Sequence, residues 1–418
     1  MQRNSIIDLD PTFDVVVVGA RLAGAATAML LARRGLRVAL IDQSRLGVDT
    51  LSTHAFMRAG VLQLHRWGLL DEVRAAGTPP VHRTTFTYQD EVVPVDIEPS
   101  DGVDALYAPR RTVLDPILVN AAFDAGVDVR FGHSVSGLLR GPRDRPAGVT
   151  GTARDGRPFS IRARFVVGAD GLRSTIARLV DAPIDYAGQH ASAVAYGYWS
   201  GTDVEDYEWV WRANAAAGAI PTTGDQVVVF VSTTPALIGR GGTEFIESTL
   251  RATAPRLAER LRTGTAPATA ATRTFRGYPG FLRRAWGEGW ALVGDAGYFK
   301  DPLSAHGMTD ALRDAELLAR ALESIHSGAD EAEALSMYQS TRNALSVPML
   351  ELVDQIASHQ WSDTQIKSLL LRLSKIMKQE VALLRGLEEP GLYSPSVLTG
   401  DRHDPDQRLA RDAPRHAA

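Results

Sequence analysis

The run Phe13–Val18, apolar apart from Asp14, ends in Gly19-Ala20-Arg21-Leu22-Ala23-Gly24 and passes straight into a stretch with Ala, Leu and Met at helical spacing up to Arg34. No other feature limits the fold as much. A short β-branched run reads as a strand buried on both faces, as in parallel sheets. Gly35 ends the helix and Leu36–Ile41 is a second buried strand, completing a βαβ unit of roughly the 30 residues such units need. Gly19 permits the tight strand-to-helix turn, and Gly24 lets helix and strand approach closely. The N–H groups at Arg21, Leu22 and Ala23 can hold a pyrophosphate, aided by a helix dipole of about 0.3–1 kcal/mol at an exposed end. Asp42 follows about 20 residues on, where an acid accepts both ribose hydroxyls, and Arg45 just past it is a pyrophosphate or ribose partner. Arg21 replaces the middle glycine of the strict fingerprint. Strand, helix and acid together still read as a dinucleotide site.

Two later segments narrow the choice of dinucleotide. Phe165-Val166-Val167-Gly168-Ala169-Asp170-Gly171-Leu172-Arg173-Ser174 is an apolar strand, then Asp-Gly, then a helix start. Trp290-Ala291-Leu292-Val293-Gly294-Asp295-Ala296 repeats strand, glycine and aspartate, followed by Asp301-Pro302 and by Ala305-His306-Gly307-Met308 opening a long helix. Each aspartate alone would be read as a turn or N-cap residue. In this order behind the Gly19 loop they resemble the single-component FAD-dependent aromatic monooxygenases, the para-hydroxybenzoate hydroxylase-like flavoproteins, over roughly residues 13–321.

The resemblance implies that Asp295, after Gly294, hydrogen-bonds the ribityl chain, that Pro302 packs by the isoalloxazine, and that Gly307–Met308 face its pyrimidine edge. A helix N-terminus there would also stabilise negative charge on reduced flavin. It implies that Asp170-Gly171 serves both FAD and an approaching NADH or NADPH. Arg111-Thr112-Val113-Leu114 looks like the family's Arg-x-x-Leu element, with Arg110 the adjacent alternative, and Val135 resembles the position whose backbone meets the adenine. Ala305 stands where many members have glycine.

Composition closes off other classes. The 418-residue chain is 44% hydrophobic and 22% charged, with a net charge of −4. Such bulk values argue against a strongly basic nucleic-acid binder. With no cysteine, disulfides, thiolate catalysis and cysteine-ligated metals are excluded, and no metal is expected. No apolar run approaches the roughly 18 residues of a membrane span, and Met1–Thr12 resembles no targeting peptide, so a cytoplasmic protein is expected.

The expected fold is α/β: an FAD-binding Rossmann-like domain with a parallel sheet, interleaved with an antiparallel substrate sheet, plus C-terminal helices. The boundaries read as 13–80, 105–185 and 275–325 for the discontinuous FAD-binding domain, and 81–104 and 186–274 for the substrate domain. Residues 326–395 read as helical, and 400–418 as a disordered tail. Ile366, Leu369, Leu370, Leu373, Ile376 and Met377 share one apolar helix face, which fits packing on its own chain, a homodimer or a cap on the substrate entrance.

The leading function is NAD(P)H-dependent hydroxylation or epoxidation of an aromatic or polycyclic small molecule, with O2 activated as a C4a-hydroperoxyflavin. Trp199, Trp209, Trp211, Tyr196 and Tyr198 are the aromatics available to roof such a pocket. A geranylgeranyl-reductase-like saturation of C=C bonds is the alternative. Halogenases of this fold need a lysine between flavin and substrate and a Trp-x-Trp-x-Ile-Pro segment. Here the first lysine is Lys300 and Trp209-Val210-Trp211 runs into Arg212-Ala213. A non-catalytic flavin module is disfavoured because the segment for NAD(P)H approach is retained. Asp49–His54 falls where relatives pass the flavin ring. His54 and His306 are the candidates for proton handling, each equally readable as a hydrogen-bonded structural histidine.

Overall fold

The computed structural model describes residues 13–268 and 271–387, so the expected tail 400–418 lies outside the described residues. The strand Phe13–Val18 forms as expected and sits inside a sheet ordered Trp286–Gly287, Trp290–Leu292, Pro158–Gly168, Phe13–Val18, Val38–Asp42, Asp128–Phe131. From Trp290–Leu292 to Asp128–Phe131 every pairing is parallel. The turn at Asp155-Gly156 joins Pro146–Ala153 to Pro158–Gly168 as an antiparallel pair. The second of these is one continuous 11-residue strand. Its burial alternates over the first half and is solid over the last four residues, because only that end enters the central sheet.

The described helices are α1 (Leu22–Arg33), α2 (Arg58–Arg66), α3 (Leu70–Ala75), α4 (Arg111–Asp124), α5 (Thr175–Leu179), α6 (Thr243–Thr253), α7 (Pro255–Leu261), α8 (Gly307–His326), α9 (Glu331–Ala357) and α10 (Asp363–Gly386). α1 packs between α8 and α4 and is buried from Ala25 to Leu31. Small residues on nearly every side allow that close approach.

A second sheet is ordered Arg273–Phe275, Ala193–Ser200, Gln226–Thr233, Ala215–Thr222, Tyr207–Arg212, Arg83–Tyr88, Glu91–Asp96. It departs from the expected antiparallel sheet at one place, where Tyr207–Arg212 runs parallel to Arg83–Tyr88. Those strands come from distant segments, so no hairpin dictates their relative direction. Ala215–Thr222 was not foreseen, since Ala-Ala-Ala-Gly carries no strand signal. Its small side chains let Phe230 cross the sheet, and a Cβ on Gly218 would meet that ring at 2.5 Å. α6 and α7 were also missed inside the segment read as β. They bury Ile246, Leu250, Leu257 and Leu261 against Trp199, Val210, Val229 and Val231. The opposite face, with Tyr196, Trp209, Trp211 and Phe230, joins the main core.

α10 packs on α9, on α2 and on the Tyr207–Arg212 strand. Ile366 and Leu373 are fully in the main core, and Leu369, Leu370, Ile376 and Met377 lie against it. The apolar stripe is therefore used within its own chain. Among the described residues no helix is long and apolar enough to cross a membrane.

Candidate active site

The carboxyl ends of Phe13–Val18 and Val38–Asp42, the starts of α1 and α8, and the edge of the second sheet enclose a cavity of about 580 Å³. Its walls bring together three segments widely separated in the chain, around Gly19, Asp170 and Asp295. Such a volume lies in the range of small-molecule and cofactor sites.

The end at Gly19, Arg21, Leu22 and Ala23 is built by close approach. Gly19 has φ +106°, and a Cβ there would meet the Ala169 carbonyl at 2.4 Å. Gly24 lies behind the wall, where a Cβ would stand 1.7 Å from the Gly19 carbonyl oxygen. Arg21 has φ −89° and ψ −173°, an extended backbone that any residue adopts. The missing middle glycine is therefore no obstacle, and the Arg21 guanidinium donates to Thr50 Oγ1 across the cavity.

Of the four acids in the wall, Asp42, Asp170 and Asp295 are used differently. Asp42 Oδ2 accepts from Ala20 N at 2.8 Å, and Oδ1 from Ser44 N at 2.7 Å and Ser44 Oγ at 2.5 Å. A carboxylate offers about four lone-pair sites, so Asp42 braces the glycine loop while keeping about one site for a ligand. Asp170 accepts from Ser174 Oγ at 2.5 Å, Thr175 N at 2.6 Å and Ile176 N at 3.1 Å. Its side chain is a cap for α5, and Gly171 beside it has φ +79°. Asp295 is exposed to the cavity. Among the described residues no protein donor hydrogen-bonds its carboxylate. Its deep setting raises its pKa, while Lys300 and Arg111 act to lower it. Gly294, with φ +61°, is outside the lining, and a Cβ on it would meet Ala23 Cβ at 2.8 Å.

Arg111 lies in the wall, fixed by Asp115 through two bonds of 2.9 and 3.0 Å. Arg110 instead stacks 4.1 Å over the Tyr198 ring and contacts Gln226 and Asp49, so the two arginines are told apart. Val135, Pro302, Gly307 and Met308 line the cavity. Arg45 is exposed and stands outside the lining. Ala305 adopts the left-handed φ of +47°, the conformation that makes glycine the easier residue there.

Asp49–Ala55 runs past the cavity, with Ser52 N donating to Tyr196 Oη at 3.1 Å. His54 is fully buried at φ +66° with Nε2 2.6 Å from Tyr198 Oη. Burial, with Arg111 and Arg110 nearby, pulls its pKa down to about 3, so it is neutral at neutral pH. His306 also has no exposed surface, and its Nε2 lies 2.5 Å from Glu380 Oε2. Both histidines sit in or behind the wall rather than in the open volume. Of the five sheet aromatics named from the sequence, Tyr196 lines the cavity and the other four do not. Val194, Phe275, Phe299 and Lys300 line it too and were missed. Lys300 is adjacent to the Asp301-Pro302 motif, which could have pointed to it.

His306, Asp310 and Glu380 have the donor types of a metal site and lie within 4.8 Å of one another. Arg313 bonds Asp310 and Glu380, Lys300 pairs with Asp310, and His306 with Glu380. The cluster is a charge network in which His306 Nε2, the Asp310 carboxylate and both Glu380 oxygens are already engaged by protein partners.

Buried neutral histidines give a pH signature. His359, at the sheet–α9 junction, is pulled down by burial to about 4, as His54 is to about 3. Unfolded histidines bind protons near pH 6.5. The unfolded chain therefore binds more protons from pH 6.5 down to about 4, and stability falls as pH drops through that window. Each histidine contributes up to about 1.4 kcal/mol per pH unit. Urea midpoints of His359→Gln between pH 7.5 and 5 should show a shallower fall than the parent. Equal slopes would contradict it.

A model of the family described as FAD binding domain matches residues 12–352. Digeranylgeranylglycerophospholipid reductase 1 of Methanococcoides burtonii is 26% identical over 73% of this chain and 73% of its own length. Aklavinone 12-hydroxylase RdmE of Streptomyces purpurascens is 31% identical over 40% of this chain, and the alignment spans about a third (34%) of that hydroxylase. The crystal structure of pqsL, a probable FAD-dependent monooxygenase from Pseudomonas aeruginosa, superposes with a TM-score of 0.73 at 23% identity, covering 86% of this chain and 99% of that one. The cradle that a Cβ would fill at Gly19, the Asp295 carboxylate without a protein donor among the described residues and the α8 N-terminus suit an extended flavin dinucleotide, and the chain belongs to the FAD binding domain family as an FAD-dependent oxidoreductase.

Proposed function

We propose that the chain is an NAD(P)H-consuming monooxygenase that hydroxylates or epoxidises an aromatic or polycyclic small molecule. The carrying observation is the group of apolar and aromatic residues, Val194, Tyr196, Phe275 and Phe299, that lines the same cavity as the Gly19 loop and the α8 start. An aromatic ligand can stack or pack edge-on there, and the wall keeps water away. Aklavinone 12-hydroxylase, by its name a hydroxylase of aklavinone, supports the same substrate class.

In this reading the Gly19 loop, Asp42 and Val135 hold the ADP end, and Arg111 and Asp295 hold the middle. Gly307 and Met308 meet the ring, with Pro302 beside it. When bound, the flavin supplies acceptance of hydride from NADH or NADPH and activation of O2 at its C4a carbon. The α8 N–H groups and Lys300 provide positive potential at the ring. Tyr196, tied through its hydroxyl to Ser52 N, fixes the substrate wall relative to the ring. Residues 13–80, 105–185 and 275–325 serve the cofactor, 81–104 and 186–274 roof the substrate, and the helical region from 326 buttresses both.

A second reading, flavin-dependent saturation of C=C bonds, is favoured by alignment length, because the reductase matches most of both chains and the hydroxylase only a part. Mixing dithionite-reduced enzyme with O2 in a stopped-flow cell separates the two. A transient oxygen-adduct absorption before reoxidation is expected. Rapid reoxidation with no such transient would favour the reductase.

A further inference from the structure

α10 begins at Asp363, beyond residue 352 where the family match ends. It nevertheless delivers a carboxylate to His306, a residue of the cavity wall. Glu380, 1% exposed, places Oε2 2.5 Å from His306 Nε2, and its Oε1 accepts from Arg313 Nη1 at 3.0 Å. Arg313 continues to Asp310 Oδ1 at 2.9 Å and Asp314 Oδ1 at 2.7 Å. Asp310 pairs with Lys300, a residue of the cavity wall. All five of these charged groups are buried. The contacts join three carboxylates (Asp310, Asp314, Glu380) to Arg313 and to Lys300, whose pKa burial and Arg313 pull down to about 7, so the network carries one or two negative charges according to whether Lys300 is protonated. His306 is the neutral member of the same network.

A carboxylate only accepts, so the Nε2 of His306 must carry its hydrogen. Nδ1 is then the atom left to titrate, and it is buried with no protein partner among the described residues. Burial, Lys300 and Arg313 pull the imidazole pKa down, and Glu380 pulls it up. Asp310, on the same helix, lies 3.9 Å from Nε2. Asp295 and Asp301 stand in the wall on the segment leading to α8, and α9 contributes Arg342 and Ser346 behind Arg313. These influences oppose one another, and a further negative charge in the cavity would favour the protonated imidazole.

We propose that Glu380 is a positioning residue of the flavin site: it fixes the Nε2 hydrogen of His306 and makes this imidazole the group that gains a proton when negative charge enters the cavity. This rests on the flavin reading of the cavity. A hydride donor such as NAD(P)H delivers two electrons and one proton, leaving one negative charge at the ring. His306 Nδ1 would take one proton from solvent to balance it, an N–H bond forming as a solvent O–H bond breaks, while the hydride's own bond exchange is complete without this residue. α10 is thereby part of the site rather than an appendage to it.

Two measurements test this. In FAD-free protein, ¹⁵N histidine spectra against pH, assigned with His306→Gln, should show the Nε2–H form of His306. Glu380→Gln should lower the pKa of that histidine at least tenfold in proton affinity. In holoenzyme, the flavin midpoint potential is read from pH 6 to 9. The parent slope should exceed that of Glu380→Gln and of His306→Gln by one proton, about 30 mV per pH unit for a two-electron couple. Ser346→Ala, which touches Arg313 but not His306, should keep the parent slope. If Glu380→Gln retains both the parent titration and the parent slope, Glu380 is only a salt partner of Arg313 and the proposal fails. Should Glu380→Gln not fold, a parent-like slope in His306→Gln overturns it equally. Protein that takes up no FAD would sink the flavin reading, while the FAD-free spectra would still decide the Glu380–His306 pairing.

Discussion

Alanine at position 295 is expected to leave purified protein almost free of FAD while its fold stays intact. Asp295 differs in one physical respect from the other acids of the cavity. Asp42, Asp170 and Asp301 each accept hydrogen bonds from backbone N–H groups, so their carboxylates hold the protein together. Asp295 has no protein donor within hydrogen-bonding distance among the described residues and faces open volume. Removing it takes nothing from the folded chain. A hydrogen bond to a charged group contributes about 1.5–3 kcal/mol, so FAD affinity should weaken by roughly 10- to 100-fold. Fluorescence titration of the apoprotein with FAD reads that loss, and apoprotein unfolding in urea should move by less than about 0.5 kcal/mol. Asp170→Ala should behave in the opposite manner, because it uncaps α5 and lowers apoprotein stability by about 0.5–2 kcal/mol. An Asp295→Ala protein that unfolds more easily yet binds FAD as before would reverse the assignment.

How much of this was legible in the sequence follows from where each residue finds its partners. The strand–glycine–helix unit from Phe13 to Arg33 depends on near neighbours, and it forms within a residue or two of expectation. The identity of the cavity acids was equally visible. Their work was not, because nothing in the letters Asp42 or Asp170 tells which donors will consume their oxygens. Ala215–Thr222 becomes a strand because two neighbouring strands pair with it on either side, a non-local cause that overrides weak propensity. Arg21 looked like a defect in a motif and is instead a tie to Thr50. Glu380 is the extreme case. It lies 74 positions from His306, on a helix whose apolar spacing was read correctly, yet periodicity reports the face that is buried and not the one polar residue buried with it.

Gly24→Ala should abolish FAD binding by damaging the loop itself, and Gly307→Ala should weaken binding without damaging anything. The contrast comes from what surrounds each position. A Cβ at Gly24 would stand 1.7 Å from the Gly19 carbonyl oxygen and 3.0 Å from Ala169 Cβ. The first of these is backbone at the tightest point of the turn, so α1 would have to move from the sheet by more than about 1 Å, in a core packed like a crystal. Overpacking of this kind costs about 1–3 kcal/mol and can exceed that, and the displaced helix would carry the N–H groups of Arg21 to Ala23 away from a pyrophosphate. The purified variant should be colourless, with an apoprotein urea midpoint below the parent's. At Gly307 an added Cβ meets no protein atom within 4 Å, and alanine is the better helix former by about 1 kcal/mol. Apoprotein stability should hold or rise there, so that any loss of FAD affinity reports a ligand passing close to the first turn of α8. If Gly307→Ala binds FAD as tightly as the parent, the ring does not lie against that helix end, and the pyrimidine-edge placement is wrong even though the cavity still binds a dinucleotide.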